Sequence, residues 1–548
     1  MKPLHSLIAT LLTALTVSGC EKSVSDPLPE HCQVPELPGG SEQVEAFTGF
    51  EHFIRRDGIQ LLDGDKPVRF IGLHATELHR IEDDVASKGS TIGKSDHFRW
   101  PTAREQVNWI KALVYSGHSI TRIYTLSVDD IELPRDVRAN MPAHIVKNPQ
   151  TGSIELDESA MQVYDRMVYL ADKYGLRLIV PVIDHWSWWG GKHELANMVG
   201  EGDGDTKEDG PLYDVNSKTF AAYASIIEEL LTRQNSCTGR EYREEKAIMA
   251  WETGNELRGT NKEFLAQTAA LFKRLAPNQL VVDGDQQADY THPPGSADIE
   301  SGEFLGLLDP NVDLQSNHFY GGYMSPEVVR KQAALARKFN KPLFIGEYGL
   351  QPIETIRAVT DAWVNEPAVA GALVWGYRGH REAGGFYWHY ESDGHMSYHL
   401  PGFTVNDGNN ELAVIEMIRE AQAKLSSSER AQKFSTSWSV PQAPLLHPIS
   451  ETGDVNWMGA PTGRYYRLYV SEDDGENWTL LADKLVDAEN GWDPETMELY
   501  TIVARLDTKK RKADSAAKVD CALYRLTAVN GAGESEPSNS QPYCIPDQ

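Results

Sequence analysis

Between Val68 and Leu425 the chain repeats one pattern eight times, a short apolar run followed by a longer stretch of helical periodicity. The runs fall at Val68–Leu73, Ser119–Tyr124, Leu176–Ile183, Ile248–Trp251, Leu280–Val282, Leu314–Ser316, Pro342–Ile345 and Ala372–Val374. The helical stretches include Ala103–Tyr115, Ala160–Tyr174 stopped by Gly175, Phe220–Thr232, Phe264–Leu275, Pro326–Phe339 after Ser325 as N-cap, and Glu411–Leu425. Strands alternating with helices build a parallel sheet with helices outside it, and eight such units predict an α/β fold of the (β/α)8 TIM-barrel type over residues 51–435. Strand ends near 71, 123, 182 and 253 are separated by 52 to 71 residues, and the later ones by 29 to 34. The extra length follows the early strands, where the loops of this architecture form the catalytic face, so it predicts walls around a cleft.

The whole chain has 548 residues, 41% hydrophobic and 24% charged, which is ordinary globular usage. Lys and Arg number 52 against 80 Asp and Glu, a net charge of −28 that excludes nucleic acid as a partner. Residues 1–19 have Lys2 at the start and an apolar stretch from Leu4 to Val17, the form of an export signal too short to span a bilayer. Val17-Ser18-Gly19-Cys20 resembles the bacterial lipobox, which implies cleavage before Cys20, lipidation of its thiol, and an exported lipoprotein tethered to a membrane in the periplasm or at the cell surface. Residues 20–50, rich in Pro, Glu and Ser, read as the tether. Cys32, Cys237, Cys521 and Cys544 remain, and four thiols in an exported protein allow three disulfide connectivities. Cys521 and Cys544 lie in one segment and are candidates to pair, whereas a bond from Cys32 to Cys237 would clip the tether to the barrel. None stands at metal-ligand spacing, and the acidic run within Gly200–Gly210 reads as a solvated loop, so neither metal nor organic cofactor is expected.

After the Ser-rich stretch Ser426–Ser437 the pattern changes to short strands, Tyr465–Val470, Trp478–Leu481, Tyr500–Ala504 and Ala522–Val529, which predict a small all-β sandwich over 440–548. The closing segment from Tyr524 to Ser535 resembles the last strands of a fibronectin type III domain, implying a spacer or scaffold. The basic run Lys509–Lys512 within it reads as a solvated hairpin loop.

Two carboxylates stand just beyond the fourth and seventh strands, Glu256 in Trp251-Glu252-Thr253-Gly254-Asn255-Glu256 and Glu347 in Phe344-Ile345-Gly346-Glu347-Tyr348-Gly349. Both should reach the same barrel face, and paired acids there suit glycoside hydrolysis, which needs one carboxyl protonated and one ionised. Two aromatic loops accompany them, Asp184-His185-Trp186-Ser187-Trp188-Trp189-Gly190-Gly191 after strand three and Gly384 to Glu391 after strand eight. Three tryptophans in one Gly-flanked loop are hard to bury together, and aromatic faces stack on pyranose rings, so both loops read as cleft walls, with His185 and Trp186 as sugar contacts.

At these residues, and at the opening Phe53 to Gly72, the sequence resembles glycoside hydrolase family 5, in its β-mannanase-like branch, from about Phe53 to Leu425. The resemblance implies a retaining (β/α)8 endo-β-1,4-mannanase whose partner is a β-linked polysaccharide or oligosaccharide of mannan type. Carried over, Glu256 is the acid/base, Glu347 the nucleophile, Asn255 the contact to the sugar 2-hydroxyl and Arg122 the group that keeps the nucleophile ionised. His318 and Tyr320 match the family's His-x-Tyr, and Trp375 its subsite tryptophan. Simpler roles compete: Glu252 as a buried partner for a basic side chain, Arg122 as that partner, and His318 as a core histidine. Gly72-Leu73-His74-Ala75 departs from the asparagine usual near His74, and Leu257 replaces the common proline. Those departures touch the preferred sugar and the choice between internal and terminal cleavage. The alternatives are an exo-acting β-mannosidase, a β-glucanase of the same family, or a non-catalytic carbohydrate-binding lipoprotein.

Overall fold

The computed structural model describes residues 27–35, 46–83, 97–202, 210–285, 304–389, 397–404, 410–426, 428–489, 492–493, 498–499, 504–506 and 521–544. The export signal, Cys20, the acidic residues of 203–209, Tyr390, Glu391, most of Tyr500–Ala504 and Lys509–Lys512 lie outside the described residues.

Eight parallel strands form one sheet: β1 (Phe70–Leu73), β2 (Ile120–Arg122), β3 (Arg177–Pro181), β4 (Ile248–Glu252), β5 (Leu280–Asp283), β6 (Leu314–Phe319), β7 (Leu343–Tyr348) and β8 (Val369–Val374). Their order runs β1-β8-β7-β6-β5-β4-β3-β2. At the open seam between β1 and β2, the Ala75 amide donates to the Arg122 carbonyl at 2.9 Å and the Thr121 hydroxyl to the Leu73 carbonyl at 2.8 Å. The barrel is thus nearly closed, with side-chain and loop hydrogen bonds completing the seam. Every one of these strands is buried along its length, as expected where helices cover the outside and side chains fill the inside. β6 and β7 run three residues further than the apolar runs, because His318 and Glu347 stay paired in register at the C-terminal end.

The outer helices are α1 (Ala103–Tyr115), α2 (Glu158–Tyr174), α3 (Lys218–Thr232), α4 (Lys262–Leu275), α5 (Pro326–Lys338), α6 (Ile353–Val364) and α7 (Glu411–Leu425). Their starts are written in short polar side chains. Thr102 accepts from the Glu105 amide while Glu105 bonds back to the Thr102 amide, and Asp157, Ser217, Asn261 and Ser325 each accept from an amide three residues on. Gly175 ends α2 at φ +82°, a left-handed position that favours glycine.

The N-terminal end of the barrel is plugged by an antiparallel three-stranded unit, Ile54–Asp57, Gln60–Asp63 and Lys66–Val68. Ile54 and Leu61 pack into the same apolar cluster as Phe70, Ile120, Leu314 and Phe344 of the barrel. Each such side chain contributes about 1.5–3 kcal/mol by leaving water. Within the stretch read as tether, residues 27–35 lie on the barrel: Cys32 is fully buried and bonded to Cys237, and the Arg166 guanidinium donates to the His31 carbonyl at 2.9 Å. The second disulfide joins Cys521 to Cys544.

The C-terminal region is all-β where it is described. Its main antiparallel sheet contains β9 (Tyr465–Ser471), β10 (Thr479–Leu485), β11 (Cys521–Asn530), β12 (Gly533–Glu534) and β13 (Gln541–Cys544). Leu446, Val455, Trp457, Tyr466, Tyr524 and Leu526 form its separate core. No helix among the described residues is long and apolar enough to cross a membrane.

Candidate active site

The C-terminal ends of β2, β4 and β7 converge on one guanidinium. Arg122, wholly buried, donates from Nε to Glu252 Oε2 at 2.6 Å, from Nη1 to Glu347 Oε1 at 2.9 Å, and from Nη2 to Asn255 Oδ1 at 3.0 Å. The two readings of Arg122 are therefore both realised: it is the partner of buried Glu252 and the neighbour of Glu347. A planar fork of fixed donors suits this division among three acceptors, which a lysine ammonium does not reproduce.

Glu347 sits within β7 opposite His318 of β6, and its Oε2 accepts from the Tyr320 hydroxyl at 2.8 Å. His74, at the end of β1, places Nδ1 3.2 Å from Glu347 Oε1 while its Nε2 faces the Ile123 carbonyl at 3.1 Å. Burial alone would raise the Glu347 pKa, but His318, His74 and Arg122 outweigh it and hold the carboxyl well below the usual carboxylate range. For His74 burial wins, and its pKa is pushed down to about 4 against the pull of Glu347.

Glu256 occupies the loop after β4 at φ +51°, a left-handed conformation that costs a non-glycine residue about 1–3 kcal/mol and is held by its surroundings. The His185 amide donates to the Asn255 carbonyl at 3.0 Å and the Leu257 amide to the Gly284 carbonyl at 3.0 Å, fixing the chain on both sides of it. Its Oε2 accepts from Trp186 Nε1 at 2.7 Å, and its Oε1 meets His318 Nδ1 at 2.8 Å. His318 also lies 3.4 Å from Glu347 Oε2, so one imidazole stands between the two carboxylates. Burial disfavours its charge, yet Glu347 and Glu256 together raise its pKa above the ordinary imidazole value. The ring needs the bare backbone of Gly346 beneath it, where a Cβ would lie 2.7 Å from Nε2.

One oxygen of Glu256, one of Glu347 and a ring nitrogen of His318 lie within 4.8 Å of one another. Carboxyl groups about 5–5.5 Å apart serve displacement through a covalent intermediate, whereas a water placed between them needs about 6.5–9.5 Å. The same three residues have donor atoms close enough for a metal, but Arg122 and Tyr320 already donate to the Glu347 oxygens, and Trp186 donates to Glu256.

The aromatic residues divide. Trp375, 8% exposed, meets His74 edge-on at 5.0 Å between ring centroids and Tyr124 at 5.9 Å. Trp186 is half-buried at Glu256, with the Arg258 guanidinium 4.7 Å from its ring centroid. Trp188 is also half-buried, 5.5 Å from Tyr124. Trp189 is a core residue instead: it is 1% exposed, donates to the Thr125 carbonyl at 2.9 Å and carries Arg80 against its ring. His185 is buried beside Trp186 and does not bond to either carboxylate; burial pushes its pKa down to about 3.

His74, Tyr124 and Asp184 join the site without having been singled out as site residues from the sequence. Asn255 Nδ2 donates to the Tyr124 hydroxyl and to Asp184 Oδ1, both at 3.0 Å. Each of the three lies one to three residues beyond a strand's C-terminal end, a position that is shared by residues outside the site and so does not single them out. Burial raises the Asp184 pKa to about 8, against the Asn255 hydrogen bond that lowers it.

Residues 132–298 match the family model described as GH family 5 beta-mannosidase-like. Asn255 and Glu256 lie inside this match, and Arg122 and Glu347 outside it. Mannan endo-1,4-beta-mannosidase F of Aspergillus fumigatus is 27% identical over 255 residues, 42% of this chain and 54% of that protein. Mannan endo-1,4-beta-mannosidase 8 of Oryza sativa subsp. japonica is 25% identical over 231 residues, 37% of this chain and 62% of that protein. The chain thus spans about half the length of the first of these relatives and less than two thirds of the second. The crystal structure of a glycoside hydrolase family 5 mannosidase from Rhizomucor miehei superposes with a TM-score of 0.51 at 17% identity, over 70% of this chain and 98% of that one, which establishes the likeness of fold.

Two substitutions test the electrostatics. Arg122→Ala should lower kcat/KM by at least about a hundredfold in steady-state assays and destabilise the barrel by about 3–5 kcal/mol in denaturant unfolding, since buried Glu252 loses its partner. Asp184 is neutral in the native state below pH 8 and ionised in the unfolded chain above about pH 4. Its contribution to stability is therefore full below pH 4 and lost as pH rises through about 8. The unfolding midpoint of Asp184→Asn should accordingly gain on the native protein between pH 4 and 8; a constant gap by calorimetry would contradict the assignment.

Proposed function

We propose that the chain is a retaining endo-β-1,4-mannanase of glycoside hydrolase family 5. The observation that carries this reading is the closeness of Glu256 and Glu347, one bound to Trp186 and His318 and the other surrounded by Arg122, Tyr320, His318 and His74. Glu347, kept ionised, attacks the anomeric carbon; the bond to the leaving oxygen breaks, and Glu256 gives that oxygen its proton. Glu256 then takes a proton from water, whose oxygen replaces Glu347 at the same carbon, so configuration is retained. Asn255, oriented by Arg122, Tyr124 and Asp184, is the contact to the sugar 2-hydroxyl, and Trp375 the platform under the ring. Mannan as substrate is supported by the names of the relatives and by the family description.

On linear β-1,4-mannan the mature chain should release mixed manno-oligosaccharides, with the β-anomer appearing first by proton NMR and activity falling about 10⁴-fold in Glu347→Ala. The α-anomer first would overturn the retaining mechanism, release of mannose alone the endo reading, and no turnover of any β-glycan the hydrolase.

We also read Cys20 as the lipidated residue of an exported, membrane-tethered protein, and the C-terminal all-β region as fibronectin type III-like. Metabolic labelling with a palmitate analogue should mark the native chain and not Cys20→Ser; equal labelling of both would remove the anchor.

A further inference from the structure

Beyond β8 the segment 376–389 leaves Trp375, travels outward and returns to the cleft at His389. The His389 ring lies 6.4 Å from Trp375 and 6.2 Å from Trp188 between centroids, with Nδ1 2.9 Å from Glu82 of the loop after β1. His389 is therefore a direct neighbour of the tryptophan that meets His74 edge-on.

The turn between these two ends is gripped from two sides. His380 presents Nδ1 to Asn108 Oδ1 of α1 at 3.0 Å and Nε2 to Asp487 Oδ2 of the C-terminal region at 3.2 Å. Its carbonyl accepts from Trp109 Nε1 at 2.8 Å, and Asn108 in turn donates to the Gly459 carbonyl at 2.7 Å. Gly459 passes so close that a Cβ would lie 2.2 Å from His380 Nε2 and 2.3 Å from Asp487 Oδ2. Both His380 and Asp487 are shut off from solvent. Phe386 stacks on His380 at 4.0 Å, and with Trp388 and Phe403 it forms an apolar cluster whose other members, Val486 and Ala488, flank Asp487. A spacer on a flexible linker would share little buried surface with its neighbour; here the close contact of His380 with Asp487 and an apolar cluster of Phe386, Trp388 and Phe403 with Val486 and Ala488 are both shared between barrel loops and the C-terminal region.

We propose that the C-terminal region is a structural part of the cleft, with Asp487 as a positioning residue: acting through His380, it holds the segment 380–389 so that His389 stands beside Trp375 to meet a bound sugar. The sugar contact rests on the hydrolase reading above, and the conformational claim does not.

The test uses the full chain carrying Asp487→Asn, alone and with His389→Ala. Hydrogen exchange followed by mass spectrometry should show the Tyr387 amide, which donates to the Gly379 carbonyl at 3.0 Å, exchanging at least about tenfold faster in Asp487→Asn. With manno-oligosaccharides, KM should rise about fivefold while kcat changes less than about twofold, and adding Asp487→Asn to His389→Ala should raise KM no further. Unchanged exchange at Tyr387 in a folded variant, or an equal rise in KM in both backgrounds, would overturn the proposal. Should Asp487→Asn fail to fold, His380→Asn carries the same expectations. Absence of any hydrolysis by the native chain sinks the hydrolase reading, and the exchange measurement still decides this one.

Discussion

The site depends on a cation that has no access to water. Arg122 brings its charge to the centre of the barrel mouth, where an unpaired guanidinium would be untenable, and two carboxylates and an amide oxygen from two other places in the chain, the end of β4 and β7, satisfy it. The geometry of the mouth follows from that requirement. Glu252 takes the Nε–H, which leaves the two Nη groups to orient Glu347 and Asn255, and Asn255 carries the orientation on to Tyr124 and Asp184. A buried cluster of this kind is poor evidence of stability, since an apolar replacement is often as stable; what it supplies is a charge arrangement prepared before substrate arrives.

Glu256 and Glu347 are held by different means. Glu347 is part of a strand, in register with His318, and its environment is made of cations and donors. Glu256 stands on a left-handed turn of the backbone, fixed by the neighbouring amides and by Trp186. The separation of the two oxygens is consequently set by strand register on one side and loop conformation on the other. His318 touches both, and both carboxylates act to raise its pKa against the cost of burial.

The barrel was legible in the sequence because strands buried on both faces appear as unbroken apolar runs, and because Thr102, Asp157, Ser217, Asn261 and Ser325 mark helix starts locally. Glu256 and Glu347 were legible as acids at strand ends. His74, Tyr124 and Asp184 were not, since nothing local distinguishes a strand-end residue aimed at the mouth from one packed against a helix. The tryptophans after β3 show the same limit: Trp186 reaches Glu256, while Trp189, three residues on, is filled in as core between Arg80 and Thr125. Residues 27–35 read as tether by composition, and the bond from Cys32 to Cys237, one of the pairings the cysteine count allows, clips them to the barrel.

That bond also moves the point from which the N-terminal segment is free. Cys237 lies between α3 and β4, in a connection at the N-terminal end of the barrel, whereas Glu256 and Glu347 open at the other end. The Arg166 guanidinium donates both to the His31 carbonyl and to the Pro101 carbonyl before α1, so the chain at His31 lies on the flank of the barrel, against the outer helices. The free length of any segment ahead of the barrel is therefore counted from Cys32, held on the barrel's flank, and not from the first barrel strand.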